Sequence, residues 1–187
     1  MKETIVEQSI ELFATKGFKE TSIQDIMDAL NVTKGTFYYY FKSKEELLMG
    51  IHQQYIERLI EKQEAIINDP SKTYKQKLHD IIFRLIHDIE KEGMRARVFL
   101  REIRHLSDPH LESITAKRDR FRENIQKVLE EGMAAGEFRS DLPADIVTFG
   151  VLGMANWCYY WFDANGRVSD KEVARIFTSI VIDGIEG

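Results

Sequence analysis

Lysines and tyrosines concentrate in one short stretch near the start of the chain, residues 32–44. Lys34, Lys42 and Lys44 give this stretch three positive charges, and it contains no acid. Residues 1–50 contain 6 lysines and 8 acids, and the whole 187-residue chain has a formal net charge of −5. A cationic surface confined to one part of an acidic chain indicates a local site for a polyanion.

The three adjacent tyrosines of this stretch need a partner outside the core. Phe37 and Phe41 are four residues apart, so in a helix they share the buried face. Helical geometry then turns Tyr38 and Tyr39 outward and leaves Tyr40 at the margin. A phenol can donate to a phosphate oxygen, which predicts contact with a DNA backbone. The alternative is that the tyrosines pack at a helix junction while the lysines remain solvated.

The order of helices around this stretch predicts how it would be presented. A first helix is expected over residues 2–16, ended by Gly17, and a second follows a capping box at residues 21–24. Asn31 tolerates the left-handed backbone of a tight turn. A short third helix begins after the cap Thr33, and a capping box at residues 43–46 opens a long fourth helix. Two short helices joined by a three- or four-residue turn predict a helix-turn-helix.

Within that motif, the position of a residue along its helix predicts whether it contacts a phosphate or a base. Thr33 and Lys34 begin the third helix and Lys44 begins the fourth, where free N–H groups and the helix dipole favour a phosphate. Gly35 permits close approach of the backbone. Lys34, Thr36 and Gln24 are the candidates to reach base edges.

The rest of the chain also shows only helical patterns. We expect five helices at residues 71–92, 96–107, 109–135, 143–163 and 169–185, with the 3 prolines at helix starts. The prediction is an all-α protein of about nine helices. It comprises an N-terminal three-helix DNA-binding domain, residues 1–50, and a C-terminal helical domain for ligand binding and dimerisation, residues 51–187.

The residues of the first fifty positions resemble the N-terminal signature of the tetracycline-repressor (TetR/AcrR) family. The resemblance rests on Leu12-Phe13, Gly17-Phe18, Thr21-Ser22-Ile23, Ile26 and the run from Val32 to Leu47. Asn31 replaces the glycine that is usual in the turn, and residues 132–139 are weakly similar to the segment preceding that family's dimerisation helices. The resemblance implies a ligand-responsive transcriptional regulator, by analogy a repressor, that binds palindromic operator DNA. It places DNA contacts at Thr33, Lys34, Gly35, Thr36, Tyr38, Tyr39 and Lys44, with Gln24 and Tyr40 at positions used by some members.

A palindromic site calls for two copies of the chain, because one short reading helix gives little specificity. Two glycines permit close helix approach along the helix after Pro143, and an apolar stripe follows the last helix. We therefore expect a homodimer interface at Gly150, Gly153, Val173, Ile176, Phe177, Ile180 and Val181. The alternative is that both stripes belong to the core of a single chain.

A small-molecule effector is expected to bind in the larger domain. Residues 153–162 carry more large aromatics than one helix face can bury, and a basic series lies at residues 95–105. Candidate ligand contacts are Arg97, Arg101, His105, Met154, Trp157, Tyr160 and Trp161. The chain resembles acyl-CoA-responsive members of the family here, although packed aromatics and solvated arginines would give the same pattern.

Other classes of function have little support in the sequence. The five histidines lack metal-binding spacing, and no glycine-rich phosphate loop or nucleophile elbow is present, so we expect neither an enzyme nor a metal or cofactor. The alternative function is a helical protein-interaction module with no DNA role.

The uncharged run from Ile146 to Phe162 is long enough to raise the question of a membrane span, roughly 17 residues being the minimum. Its polar residues and flanking acids favour a buried helix of a protein with no membrane partner. The single Cys158 and the polar first residues favour the cytoplasm.

Overall fold

The computed structural model describes residues 1–185. These residues form nine α-helices and one short 3-10 helix, and within that range there is no β-strand. The all-α prediction is confirmed. The helices are α1 (Lys2–Thr15), α2 (Ile23–Ala29), α3 (Lys34–Tyr40), α4 (Lys44–Ile67), α5 (Tyr74–His87), α6 (Ile89–Arg101), α7 (Asp108–Ala134), α8 (Ala144–Trp161) and α9 (Asp170–Ile185), with the 3-10 helix at Ile103–His105.

The chain folds into two compact units. The first unit consists of residues 1–57 and 93–117, and the second consists of residues 58–92 together with the chain from residue 118 onward. Helices α4, α6 and α7 contribute residues to both. Each unit has its own set of buried apolar side chains.

The first unit contains the predicted helix-turn-helix. Phe13 of α1, Ile26 and Met27 of α2, and Phe37 of α3 are at most 1% exposed, so the three helices share one core. The turn between α2 and α3 places Asn31 at φ 54°, as the sequence predicted. Gly17 has φ 98° where it follows α1, in the left-handed region that favours glycine.

The capping of α2 differs from the prediction by one residue. The Ser22 hydroxyl accepts from the Asp25 N–H at 3.0 Å, and the Asp25 carboxylate accepts from the Ser22 N–H at 2.8 Å. Thr21 is instead buried and donates to the Gly17 carbonyl at 2.8 Å, so it closes the preceding turn. Hydrogen bonds from Lys16 and Ser22 lower the pKa of Asp25 to about 2.

The capping box predicted for α4 is only half formed. The Ser43 hydroxyl accepts from the Glu46 N–H at 3.0 Å, but the Glu46 carboxylate accepts from the N–H of Lys42 and not from that of Ser43. The side chain therefore reaches one residue further back than in the standard motif.

The predicted helix over residues 71–92 was wrong at both ends. Thr73 and Gln76 form a capping box, which starts α5 at Tyr74, so Pro70 lies before the helix and not at its start. The chain turns at Asp88, whose carboxylate accepts from the Lys62 ammonium at 2.6 Å and whose carbonyl accepts from the Glu92 N–H at 2.7 Å. Helix α6 thus begins earlier than predicted and ends at Arg101.

In the second unit, α8 and α9 pack against α5. The α5 N-terminus is held by Glu137, whose carboxylate accepts from the backbone N–H groups of Tyr74 and Lys75 at 3.2 and 2.9 Å. Gly132 lies under the Phe138 ring, where an added Cβ would be 2.4 Å from ring carbons. Among the residues that the structure describes, no helix is both long and apolar enough to cross a membrane.

Candidate nucleic-acid interface

Helix α3 is anchored by two phenylalanines and presents its tyrosines outward. Phe37 is fully buried and its ring centroid lies 5.5 Å from that of Phe41. Tyr38 and Tyr39 are 57% and 80% exposed, and Tyr40 is half-buried against Tyr39. The outward direction that helical spacing predicted for Tyr38 and Tyr39 is therefore confirmed, and their contact with DNA stays a prediction.

The start of α3 exposes the other candidate groups. Thr33 is the N-cap residue with an extended backbone, and Thr33, Lys34 and Gly35 are exposed. Thr36 is half-buried one turn from the cap, and its N–H donates to the Thr33 carbonyl at 3.0 Å. We call Lys34, Gly35, Tyr38 and Tyr39 the α3 surface.

Gly35 is not required by the fold of this unit. An added Cβ would meet the Thr33 hydroxyl oxygen at 3.5 Å, an ordinary van der Waals distance, and Gly35 does not have the positive φ found at Gly17. The fold can therefore accept a side chain at this position. The close approach of an external backbone at Gly35, which the sequence predicted, therefore stays a prediction.

Lys44 has a role that the sequence did not reveal. Its ammonium donates to the carbonyls of Phe18 and Thr21 at 2.7 and 2.6 Å, and it lies 4.3 Å from the centre of the Phe18 ring. Burial lowers the pKa of this ammonium, with a smaller opposing effect from Asp25 and Glu20. Lys44 thus ties the start of α4 to the turn before α2, and its predicted phosphate contact stays a prediction.

Gln24 is exposed and is the second residue of α2. Its side-chain amide nitrogen donates to the Asp28 carboxylate at 2.5 Å. Ile26 and Met27 occupy the opposite, buried side. Gln24 therefore belongs to the same unit as the α3 surface, and its side-chain amide is hydrogen-bonded to Asp28.

Arg101 and His105, two of the predicted ligand contacts, line one polar cleft of about 270 Å³ in the first unit. The cleft lies between the turn after α1 and the end of α6. The His105 ring stacks on Phe18 at a centroid distance of 5.4 Å, and burial lowers the pKa of His105. Arg97 is half-buried on α6 and is not among the residues that line this cleft.

The remaining ligand candidates lie on α8 in the second unit. Trp157, Tyr160 and Trp161 are 62%, 51% and 49% exposed, while Met154 is half-buried. The Trp157 and Tyr160 rings contact each other at a centroid distance of 4.6 Å. These three aromatic side chains are thus on the surface of the chain.

Helix α8 has one buried face and one exposed face. Thr148, Val151, Ala155 and Cys158 are buried at three- and four-residue spacing, and burial raises the pKa of the Cys158 thiol to about 11. The other face is exposed and rich in apolar side chains. Together with two exposed residues of α9 it forms what we call the α8–α9 face: Ile146, Phe149, Gly150, Gly153, Trp157, Tyr160, Trp161, Ile176 and Ile180.

The predicted dimer residues divide between this face and the core. Gly150, Gly153, Ile176 and Ile180 are exposed, whereas Val173 and Val181 are only 3% and 8% exposed. The two valines lie on the side of α9 that packs within its own unit. Phe177 is half-buried, and its ring lies 6.5 Å from that of Trp161.

Comparisons with known proteins agree with this architecture. The model of "Bacterial regulatory proteins, tetR family" matches residues 5–51, and that of "Tetracyclin repressor-like, C-terminal domain" matches residues 71–185. The HTH-type transcriptional repressor KstR2 of Mycolicibacterium smegmatis is 26% identical over 98% of this chain and 90% of its own length.

Solved structures show the same fold. The TetR family transcriptional regulator PfmR of Thermus thermophilus is 30% identical, covers 98% of this chain and 99% of its own, and superposes with a TM-score of 0.88. AibR, solved in complex with isovaleryl coenzyme A and operator DNA, is 22% identical over 96% of each chain, with a TM-score of 0.87. With a family model covering more than half of the sequence and a helix-turn-helix where that family has one, this chain belongs to the tetR family of bacterial regulatory proteins.

Proposed function

We propose that this protein is a transcriptional repressor that binds palindromic operator DNA as a homodimer and is released by a small-molecule effector. The observation that carries the proposal is the α3 surface, where two exposed tyrosines, a lysine and a glycine stand on a helix anchored by buried Phe37. Lysine and phenol groups donate to phosphate oxygens, and a helix of this kind enters the major groove.

The assignment of functions to the two domains follows the two family matches. Residues 1–50 form the DNA-binding domain and residues 51–187 form the ligand-binding and dimerisation domain, in keeping with matches over residues 5–51 and 71–185. The DNA contacts are Gln24, Thr33, Lys34, Gly35, Thr36, Tyr38, Tyr39, Tyr40 and Lys44. A cytoplasmic location fits this function, because operator DNA is there in bacteria.

The homodimer forms through the α8–α9 face. A face with this many exposed large apolar side chains is unusual for a monomer and is typical of a protein interface. Gly150 and Gly153 lie at its centre along α8, where they permit two helices to approach closely. Because a two-fold interface is self-complementary, the same face serves both copies.

The effector is a hydrophobic molecule with an anionic group, with an acyl-coenzyme A as the first candidate. Support comes from the relatives: KstR2 of Mycobacterium tuberculosis is described as a ketosteroid transcriptional regulator, and AibR was solved with isovaleryl coenzyme A. In this chain, Arg101 and His105 of the polar cleft are candidates for the anionic group. Arg97, Met154, Trp157, Tyr160 and Trp161 remain candidate contacts for the effector.

Release requires that effector binding alters the DNA-binding domain. Helix α4 contributes residues to both compact units, and its first residue, Lys44, is hydrogen-bonded to the turn before α2. We expect effector binding to shift the start of α4 and so to change the separation of the two reading helices of a dimer.

The test is a gel shift with duplexes selected from a random pool, with and without acyl-coenzyme A thioesters. Mass spectrometry of small molecules retained by the purified protein identifies further candidates. Binding to a palindrome that one of these ligands weakens supports the proposal, and operator affinity that is indifferent to every ligand that binds contradicts it. A protein-interaction module would bind no duplex in a salt-dependent way.

A further inference from the structure

The pairing of Gln24 with Asp28 on the exposed side of α2 points to a residue that sets base specificity. Gln24 and Asp28 are four residues apart, so they lie on the same side of the helix, and both are exposed. The Gln24 amide nitrogen donates to the Asp28 carboxylate at 2.5 Å. We infer that Asp28 orients Gln24 to read an adenine in the operator, an inference that rests on the proposed function.

Chemistry fixes which end of the amide faces Asp28. An ionised carboxylate only accepts hydrogen bonds, so the NH₂ group of Gln24 must point toward Asp28 and its carbonyl oxygen must point away. One N–H is used in this bond. The carbonyl oxygen and the second N–H remain as an adjacent acceptor and donor.

That acceptor–donor edge matches one base. In the major groove adenine presents a donor at N6 beside an acceptor at N7, which an amide binds with two hydrogen bonds. Guanine presents two acceptors, and thymine presents an acceptor and a methyl group, so both oppose the Gln24 carbonyl oxygen. Cytosine presents only a single donor. An amide free to rotate would adapt to these bases, whereas one held by Asp28 favours adenine.

Asp28 also carries a charge that a DNA-binding surface does not otherwise favour. A carboxylate near phosphates lowers affinity for all sequences through like-charge repulsion. The other aspartate of α2, Asp25, is hydrogen-bonded to Ser22 at the start of the helix and to Lys16. Asp28 is therefore the aspartate of α2 that is bound to Gln24. If Asp28 positions Gln24, its removal should therefore weaken the preference for adenine while leaving equal or raising the affinity for DNA of any sequence.

The experiment compares variants of the full-length chain on duplexes chosen from a random pool by the unaltered protein. Each position of the selected operator is then replaced by the other bases, and affinities are measured at one salt concentration. Gln24→Ala is expected to reduce discrimination roughly tenfold at one position of each half-site, and the preferred base there is adenine. Asp28→Ala is expected to reduce discrimination at that same position at least about threefold, while affinity for a scrambled duplex stays equal or rises.

Two comparisons make the result specific. In the Gln24→Ala background, Asp28→Ala changes discrimination no further, because its effect acts through the amide. Glu11→Ala is the matched control: Gln8 donates to Glu11 at 3.2 Å in an exposed hydrogen bond on α1, so this variant removes a similar pair and a similar charge. It is expected to leave discrimination unchanged at every position.

The outcomes separate this inference from the proposed function. If no duplex is preferred over the random pool, both are overturned. If an operator is selected but Gln24→Ala alters no position, or alters a position where guanine, cytosine or thymine is preferred, only the reading by Gln24 is overturned. If Asp28→Ala lowers affinity for every duplex equally, its role is structural and the inference is wrong.

Discussion

A substitution at Gly35 should affect the binding of DNA without lowering the stability of the fold. Its added Cβ would meet the Thr33 hydroxyl at an ordinary 3.5 Å, so Gly35→Ala should fold normally and keep its stability or gain up to about 1 kcal/mol from helix propensity. Affinity for operator should fall by at least about tenfold, because the methyl group separates the helix from the DNA backbone. Thermal unfolding and operator titration measure the two effects.

Gly132 provides the contrasting variant. An added Cβ there would lie 2.4 Å from the Phe138 ring, so Gly132→Ala should destabilise the protein by roughly 1–3 kcal/mol through overpacking. If Gly35→Ala proved as destabilising as Gly132→Ala, or bound operator with full affinity, the external role of Gly35 would be refuted.

Lys44 and Lys42 should differ although both belong to the cationic stretch. Lys44→Ala removes two charge-assisted hydrogen bonds to the Phe18 and Thr21 carbonyls, which we expect to lower the free energy of unfolding by roughly 1–3 kcal/mol. Lys42 is exposed, so Lys42→Ala should leave stability within about 0.5 kcal/mol. Denaturant unfolding of both variants measures this difference.

The same two variants test the phosphate contacts. Each lysine that neutralises a phosphate should contribute about 0.9 to the slope of log affinity against log salt concentration. An unchanged slope for Lys44→Ala, together with lost stability, would show that Lys44 acts within the fold and would remove it from the set of DNA contacts.

At the scale of the helices, Glu45 fixes the start of α4 to the start of α7. Its carboxylate accepts from the Ser107 N–H at 2.8 Å and lies 2.9 Å from His110 Nδ1. These hydrogen bonds, from Ser107 first and from His110, lower the pKa of Glu45 from 4.5 to about 2. The charged form is therefore favoured by folding, and its contribution to stability is present above pH 4.5.

Acid should remove that contribution. As pH falls from about 4.5 to about 2, the unfolded chain takes up a proton at Glu45 before the folded chain does, so the free energy of unfolding decreases. Glu45→Gln should show a smaller decrease over this window than the unaltered protein when unfolding is followed at several pH values. An identical pH dependence in both proteins would contradict the assigned pairing.

The sequence predicted the helices better than their ends. Phe37 and Phe41 at four-residue spacing were enough to place α3 and to turn Tyr38 outward. The sequence predicts the α2 capping box at residues 21–24, one residue too early. Thr21 and Ser22 are both good caps, and the structure distinguishes them because the buried Thr21 side chain donates to the Gly17 carbonyl. The cap thus depends on which hydroxyl the fold buries, and a pattern of residue types does not show this.

The break between α5 and α6 and the position of Lys44 both involve contacts between residues distant along the chain, which local patterns do not reveal. The break occurs at Asp88, where Lys62 binds the carboxylate from 26 positions away, and Lys44 binds carbonyls 23 and 26 positions away. Charge and periodicity placed Lys44 near the candidate interface, but its acceptors are backbone oxygens, which no side-chain pattern reveals.

At the scale of the molecule, the α8–α9 face should hold two copies together. Ile180 is 58% exposed, so Ile180→Lys should leave the fold of one chain intact while placing like charges opposite each other at a two-fold interface. We expect the dimer to dissociate at micromolar concentration and affinity for a palindrome to fall toward that for a half-site. Sedimentation measures the mass.

Met94 supplies the control for this variant. It is 51% exposed on α6 in the first unit, so Met94→Lys makes the same change of charge outside the α8–α9 face and should leave a dimer. A stable dimer of Ile180→Lys, or a monomer of Met94→Lys, would show that the two copies meet elsewhere.

We propose that the α3 surfaces of a dimer bind the phosphates and bases of an operator. The most direct measurement is the affinity of the purified protein for its selected palindrome and for a scrambled duplex over a range of salt concentrations. We expect tighter binding to the palindrome and a linear fall of log affinity with log salt, with a slope of several units for a dimer making several phosphate contacts. Equal affinity for both duplexes at low ionic strength, or binding that salt does not weaken, would contradict the claim.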